Sequence, residues 1–273
     1  MNKKLFAIIG NPIAHSLSPN LHNYWFKKYN INAEYSLINV DEKNLGDVIK
    51  RIRNKEIEGI NVTLPYKQKI IPFVDRLIND AKETNSVNTI FLDKTNTLVG
   101  ENTDVFGLQV AYLKEIVNTE NKKALIIGAG GVSPSVILAL QKSKIGNISI
   151  TNRTHDKSTF LQKKFKYLNV LEWKSLRDEI ANFDIIINAT SLGLKNGNEF
   201  NFNFNNVKDD LIFIDTIYNP LETKTIKFLK EKKIKTFNGL NMLIHQGQKS
   251  FYLWNKINPE IDDELITLLM SKL

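Results

Sequence analysis

Lys67 stands two residues beyond a proline that ends an alternating run. In GINVTLPYK, residues 59–67, apolar and polar side chains alternate as in a half-buried strand, and Pro65 stops the run. A strand end aimed at a cleft is a platform for a reactive group. Lysine suits the reduction of a ketone, because its charge stabilises the developing alkoxide and its proton can be delivered there. A nearby carboxylate would orient the ammonium and keep it charged. Asp104 in GENTD is the candidate, placed after a hairpin signal and before a helically spaced segment, where a domain boundary and a cleft are expected. Each residue alone has an ordinary reading, Lys67 as a solvated cation and Asp104 as a helix N-cap. Spacing does not join the two.

A second constellation, LIIGAGGVSPSV, has the form of a dinucleotide-binding turn. Gly128 allows a tight turn after a strand, and Gly130 lets the backbone approach a pyrophosphate. Ser133 takes the third, close-packing position. Pro134 suits the first turn of a helix whose free N–H groups face the phosphates. The next strand ends in Asn152-Arg153-Thr154, where an NAD site would carry an acid. A guanidinium between neutral side chains suits a 2′-phosphate, with Lys157 adding charge a turn later, so NADP is expected. Asp156 lies past the position of the missing acid.

Positioning these groups requires alternating strands and helices. KLFAIIG, AEYSLINV and GINVTL read as strands, and VNTIFLD and TLVGEN as a hairpin across Lys94-Thr95-Asn96. A helix is expected from Ser18 as N-cap with Pro19 in its first turn, and another over NLGDVIKRIRN from the spacing of Leu45, Val48, Ile49 and Ile52. KQKIIPFV and RLINDAKE read as helical pieces around Pro72. VFGLQVAYLKEIV reads as a bridging helix. KKALIIG, NISIT, NVLEW, FDIIIN and LIFID then alternate with helices, and two helices close the chain. The pattern predicts an α/β fold of two domains with parallel sheet covered on both faces. Residues 1–104, completed by 237–273, form the first domain, and 105–236 the dinucleotide-binding domain.

The 273 residues fit two domains of ordinary size, and 42% hydrophobic with 24% charged residues is a globular composition. The apolar run Leu5–Ile9 is shorter than a secretory core and no run approaches a membrane span, so a cytoplasmic protein without membrane association is expected. The absence of cysteine excludes disulfides, thiolate catalysis and cysteine-held metals. His15, His22, His155 and His245 show no metal spacing, and no metal is expected. The net charge of +8 comes from scattered lysines without aromatic interleaving, which argues for a solvated surface and against nucleic acid.

GNPIAHSLSPNLHN, GINVTLPYK, SVNTI, GENTDVFGL, GAGGVSPSV, NRT, NATSLG, DTIYNPLET and NGLNMLIHQG occur here in the order of the shikimate dehydrogenases, from Gly10 to about Trp254. The chain resembles that family over nearly its whole length. The resemblance implies an N-terminal α/β substrate domain, a Rossmann-type NADP-binding domain, and terminal helices returning to the first domain. It implies reversible reduction of 3-dehydroshikimate to shikimate by NADPH, a step towards chorismate and the aromatic amino acids. Lys67 and Asp104 match the catalytic pair. Ser16, Ser18 and Tyr218 match groups at the substrate carboxylate, and Thr63, Asn88 and Gln246 further substrate contacts, with Asn61 supporting their loop. Gly128, Ala129, Gly130, Gly131, Asn152, Arg153, Thr154, Lys157, Thr190, Gly239 and Met242 match the cofactor side, Met242 near the nicotinamide. The expected partner is the small-molecule substrate, in a monomer or homodimer.

The chain departs from the family at Asn241 and Gln248, which bear on the nicotinamide side, and at Asn85-Ser86, Pro134, Ser135 and Lys157. A quinate/shikimate dehydrogenase of broader specificity is the first alternative, against which the missing acid after ISIT argues. A non-catalytic NADP sensor would not need Lys67 and Asp104 together, and a folate-linked dehydrogenase gives no reason for HSLSP.

Overall fold

In the computed structural model, which describes residues 3–273 except 196 and 203, KLFAIIG becomes the interior strand β1 (Lys4–Gly10). It pairs in parallel with β2 (Ala33–Asn39) and with β3 (Gly59–Val62). The sheet continues through β4 (Arg76–Leu77), β5 (Thr89–Leu92) and β6 (Leu98–Glu101) in the spatial order β2-β1-β3-β5-β6-β4. β3–β5 and β5–β6 are antiparallel, so this sheet is mixed rather than parallel. The expected hairpin is the cause. Asp93 Oδ1 accepts the Thr95 and Thr97 N–H groups at 2.8 and 3.0 Å, and Asn96 takes a positive φ of 58°, which closes the turn. RLINDAKE is only partly helical. Arg76–Leu77 extends along β6, with Ile78 N donating to Gly100 O at 3.0 Å, and the helix is confined to Asp80–Thr84.

Helix Ser18–Lys28 starts one residue earlier than expected, with Leu17 at the N-cap and Ser18 as its first residue. It buries Leu21, His22, Trp25 and Phe26 on one face. Helix Leu45–Arg53 buries the four residues its spacing marks. The terminal helices Leu240–Asn255 and Asp263–Met270 return to this sheet. Trp25 Nε1 donates to Glu260 O at 2.9 Å, and Asp262 caps the last helix by accepting Leu265 N–H at 2.8 Å. Met1–Gly107 and Leu243–Leu273 make up this compact unit.

Leu108–Met242 makes up the second unit. Its strands are β7 (Lys123–Ile127), β8 (Asn147–Thr151), β9 (Leu168–Val170), β10 (Ile185–Asn188), β11 (Ile212–Asp215) and β12 (Lys235–Phe237). All pairs are parallel, in the order β12-β11-β10-β7-β8-β9. Counted from β7, this is the 3-2-1-4-5-6 order of doubly wound nucleotide-binding sheets. Ala124 to Ile127 and Ile185 to Ile187 are fully buried, as strands covered on both faces must be.

His22 is completely buried in the first unit. Its ring stacks on Tyr35 with centroids 4.4 Å apart, beside Trp25, Phe251 and Trp254, and neither ring nitrogen has a hydrogen-bond partner among the described residues. Burial lowers its pKa from 6.5 to about 3. Above pH 6.5 the ring is neutral both folded and unfolded. Below it only the unfolded chain takes up the proton, so stability should fall by about 1.4 kcal/mol per pH unit. Asp215, raised by burial from 3.8 to about 6, acts in the opposite sense below pH 6. His22→Phe leaves that contribution untouched. Denaturant titrations between pH 7.5 and 5.5 should therefore show a flatter pH dependence for His22→Phe than for wild type. Equal slopes would mean that His22 is hydrated or protonated in the folded state.

Candidate active site

The turn after β3 fixes where Lys67 points. Thr63 N donates to Ile9 O at 2.9 Å, and Tyr66 N to Thr63 O at 2.9 Å. The buried Tyr66 hydroxyl donates to Val40 O at 2.7 Å, while Val87 N grips Lys67 O at 2.8 Å. The Leu64–Pro65 bond inside this turn is cis. Lys67 Nζ then lies 2.6 Å from Asp104 Oδ2, with the two side chains 11% and 6% exposed. Asp104 opens the helix Asp104–Leu108, and its own N–H donates to Asn102 Oδ1 at 3.1 Å.

Asn88 occupies the other carboxylate oxygen, donating to Asp104 Oδ1 at 2.9 Å. Its carbonyl oxygen accepts Thr103 N at 2.8 Å and the Thr89 hydroxyl at 3.0 Å, and its Nδ2 stands 3.4 Å from Gln246 Oε1. Asn61 lies beneath. Its Nδ2 is 3.0 Å from each of Asn88 O, Thr89 Oγ1 and Ser250 Oγ, and its oxygen accepts the Tyr35 hydroxyl at 2.7 Å. Asn61 is thus a buried support whose polar atoms the protein itself engages. Ser16 and Ser18 hydroxyls are 3.2 Å apart, Ser16 half-buried and Ser18 buried; Thr63 is half-buried. Among the described residues Lys67 Nζ makes one hydrogen bond, so two of its three N–H groups are available to a ligand.

Thr103 and Ser250 are missed by sequence reasoning. Ser250 Oγ lies 2.8 Å from Thr89 Oγ1 and 3.1 Å from Thr103 Oγ1, and donates to Gln246 O at 3.0 Å. A signal was present in each case: Thr103 sits inside GENTD, and Ser250 follows Gln246 by one helical turn.

On the second unit, Gly128 has φ +116°, and a Cβ there would meet Ala189 O at 2.7 Å, so only glycine fits. Ser133 Oγ accepts Gly130 N and donates to Gly128 O, both at 2.9 Å. Asn152 ties the turn to the end of β8, accepting Ala129 N at 3.1 Å and donating to Thr154 O at 2.9 Å. Gly130 is exposed, and a Cβ there would find no protein atom nearer than 3.9 Å, so the backbone is open to a close ligand. Gly131 is half-buried at the foot of helix Ser133–Lys142. Arg153, Thr154 and Lys157 are exposed, and among the described residues neither cation is ion-paired. No carboxylate stands between Thr151 and His155. An open glycine turn, a helix N-terminus and available cations fit the pyrophosphate and 2′-phosphate of NADP.

Thr190 lies beside Gly128, its hydroxyl donating to Asn188 Oδ1 at 2.7 Å. Gly239 is pressed against the Thr216 carbonyl, 2.2 Å from where a Cβ would stand. Met242 is buried and Tyr218 half-buried, both on this unit. Gln248 donates to Pro259 O at 2.7 Å and secures the turn before the last helix. Asn241 is exposed. Among the described residues no three metal-ligating side chains cluster.

Residues 8–90 match the family model of the shikimate dehydrogenase substrate-binding domain, and residues 111–234 that of shikimate/quinate 5-dehydrogenase. The shikimate dehydrogenase (NADP(+)) of Pelagibacter ubique is 48% identical over 267 residues, covering 98% of this chain and 99% of the relative. The crystal structure of shikimate dehydrogenase from Aquifex aeolicus is 34% identical with TM-score 0.89, covering 99% of this chain and 97% of the other. That of shikimate 5-dehydrogenase from Thermus thermophilus, in complex with NADP(H) and shikimate, is 27% identical with TM-score 0.88 over 99% and 100% of the two chains.

The burial of the Lys67–Asp104 pair sets the cost of breaking it. Asp104→Asn keeps shape and strands a mostly buried ammonium, for a loss of about 3 kcal/mol in denaturant unfolding. The pair Lys50–Asp47, with side chains 76% and 69% exposed, is the control. Asp47→Asn should cost less than about 1 kcal/mol. Equal losses at the two sites would mean that Lys67 escapes to water once unpaired.

Proposed function

The chain belongs to the shikimate dehydrogenase family, and on that premise we propose that it reduces 3-dehydroshikimate reversibly to shikimate, with Lys67 and Asp104 as its acid–base pair. The observation that carries this reading is the 2.6 Å contact between two side chains 11% and 6% exposed, with donors on Lys67 to spare. NADPH, when bound, supplies the hydride. Lys67 directs a free N–H at the ketone oxygen, stabilises the charge that develops there, and delivers the proton. In reverse the neutral amine takes the hydroxyl proton, and Asp104 favours the ammonium that results. Asp104 cannot rotate away, because Asn88 holds its second oxygen.

Ser16 and Ser18 hold the substrate carboxylate, and Thr63, Asn88 and Gln246 meet its hydroxyls. A pocket built on such pairings rejects analogues that leave a buried polar group unmatched. Asn61 acts through Asn88 rather than on the substrate. Gly128, Ala129, Gly130 and Gly131 with the following helix cradle the pyrophosphate. Arg153 with Asn152, Thr154 and Lys157 receives the 2′-phosphate, and Thr190, Gly239 and Met242 line the rest of the cofactor path. The first unit is the substrate domain and the second the NADP domain. The absence of cysteine and of any described helix long and apolar enough to cross a membrane supports a cytoplasmic enzyme of the pathway to chorismate and aromatic amino acids. We assign it as a monomer or homodimer.

Initial rates with shikimate or quinate, each with NADP or NAD, test the reading. Turnover is expected with shikimate and NADP, and no turnover with any pair would overturn it. Lys67→Ala should lose at least about 10²-fold in kcat while binding NADP as wild type does. Weakened NADP binding in that variant would move Lys67 out of the acid–base role. Arg153→Asp should shift preference from NADP towards NAD, and an unchanged ratio of kcat/KM values would remove Arg153 from the phosphate site.

A further inference from the structure

The Tyr112 hydroxyl joins the two segments by which the chain enters and leaves the second unit. After the helix Asp104–Leu108 the next turn, Gln109–Leu113, widens to a π-turn closed by Lys114 N donating to Gln109 O at 3.0 Å. Such a turn accommodates an extra residue and re-aims the side chains around it. Tyr112 and Leu113 are both buried here, while Lys114 is exposed. The Tyr112 ring packs on Phe237, centroids 5.3 Å apart. Its hydroxyl donates to Asn238 O at 2.5 Å and accepts Met242 N–H at 3.1 Å.

Met242 lies in the first turn of the helix Leu240–Asn255, where N–H groups lack partners within the helix. Asn238 Oδ1 takes Leu240 N at 3.1 Å, and the phenol takes Met242 N. One side chain from a distant turn therefore caps this helix and anchors the loop before it. Burial, with a further push from the Asp215 carboxylate, raises the Tyr112 pKa far above neutrality although the Met242 N–H opposes it, so the phenol keeps its donor proton.

We propose that Tyr112 is a positioning residue for hydride transfer, its hydroxyl holding Asn238–Met242 in the geometry that presents Met242 to the nicotinamide. The inference rests on the function proposed above, in which Gly239 and Met242 line that end of the cofactor. Removing the hydroxyl leaves the half-buried Asn238 carbonyl and the buried Met242 amide unmatched, and the segment between them relaxes. Displacements of this kind far from the reacting atoms cost rate out of proportion to their size.

Tyr112→Phe deletes the hydroxyl and keeps the ring. Its kcat for shikimate oxidation should fall about tenfold. The KM for shikimate should stay within about twofold. The isotope effect with shikimate deuterated at the transferred hydrogen should rise. In the cofactor-free protein, amide exchange should quicken over residues 239–242 and stay unchanged in β7. An unaltered kcat, isotope effect and exchange pattern would overturn the proposal. So would parallel losses in kcat, shikimate affinity and melting temperature, which mark general destabilisation. A wild-type protein inactive with shikimate and NADP would overturn the function and this inference together. An active wild type matched by Tyr112→Phe overturns the inference alone.

Discussion

A lysine ammonium held nearly out of water beside one carboxylate is the constraint around which the first unit is built. Desolvating two such charges costs several kcal/mol per ion, and their attraction offsets this only when the remaining hydrogen-bonding capacity is also met. Asp104 meets it with Asn88 on one oxygen and Lys67 on the other. Asn88 in turn is fixed by Thr103 and Thr89, and these by Ser250 on the penultimate helix. Asn61, at the end of β3, completes the layer. The pair is therefore only as rigid as a network drawn from β3, β5, the loop after β6 and the returning helix.

That requirement explains why the first sheet is mixed. The antiparallel pairing of β5 with β6 sets Thr89 opposite Glu101, with Asn88 N donating to Glu101 O at 3.0 Å. One residue further along each strand, the chain leaves the sheet with Asn88 facing the segment that carries Thr103 and Asp104. A parallel neighbour would have brought in a strand running the other way, with its chemistry at the opposite edge. The hairpin itself was legible, because Asp93 and Asn96 are local turn signals. Its insertion beside β3 was not, since pairing between distant strands leaves no periodic trace. The two-residue strand Arg76–Leu77 is too short for any period, and the helical spacing of residues 105–117 conceals the π-turn at Gln109–Leu113.

The second unit was more transparent. Continuous apolar runs flanked by helices leave little choice but parallel strands, and the glycine turn marks the first of them. Lys67 and Asp104 were legible as chemical groups, and the resemblance paired them. Their contact spans 37 positions, which no local pattern reports. Thr103 and Ser250 went unread despite GENTD and the helical turn after Gln246, because a hydroxyl in a loop or on a helix is ordinary until its neighbours are known. Asn61 was given only as a support of the substrate loop, and its hydrogen bonds to Asn88 O, Thr89, Ser250 and Tyr35 agree with that place.

One device recurs in both units and accounts for the prominence of asparagine at the sites. Asn88 donates to the Asp104 carboxylate and accepts the Thr103 N–H. Asn188, at the end of β10, donates to the Asp215 carboxylate at 3.0 Å and accepts the Thr190 N–H at 3.0 Å. Asn152 accepts the Ala129 N–H and donates to the Thr154 carbonyl. In each case an acceptor-only group must be linked to a donor-only group inside a crowded strand end. A carboxylate there could not donate, and opposite Asp104 it would add a second negative charge and discourage ionisation of both. A hydroxyl has one proton and a shorter reach. The primary amide presents donor and acceptor at fixed separation with no net charge, so it can brace an ionised group without competing for its counterion. Lys67 remains the sole cation on Asp104 among the described residues, and the amide that braces the carboxylate leaves that pairing undisturbed.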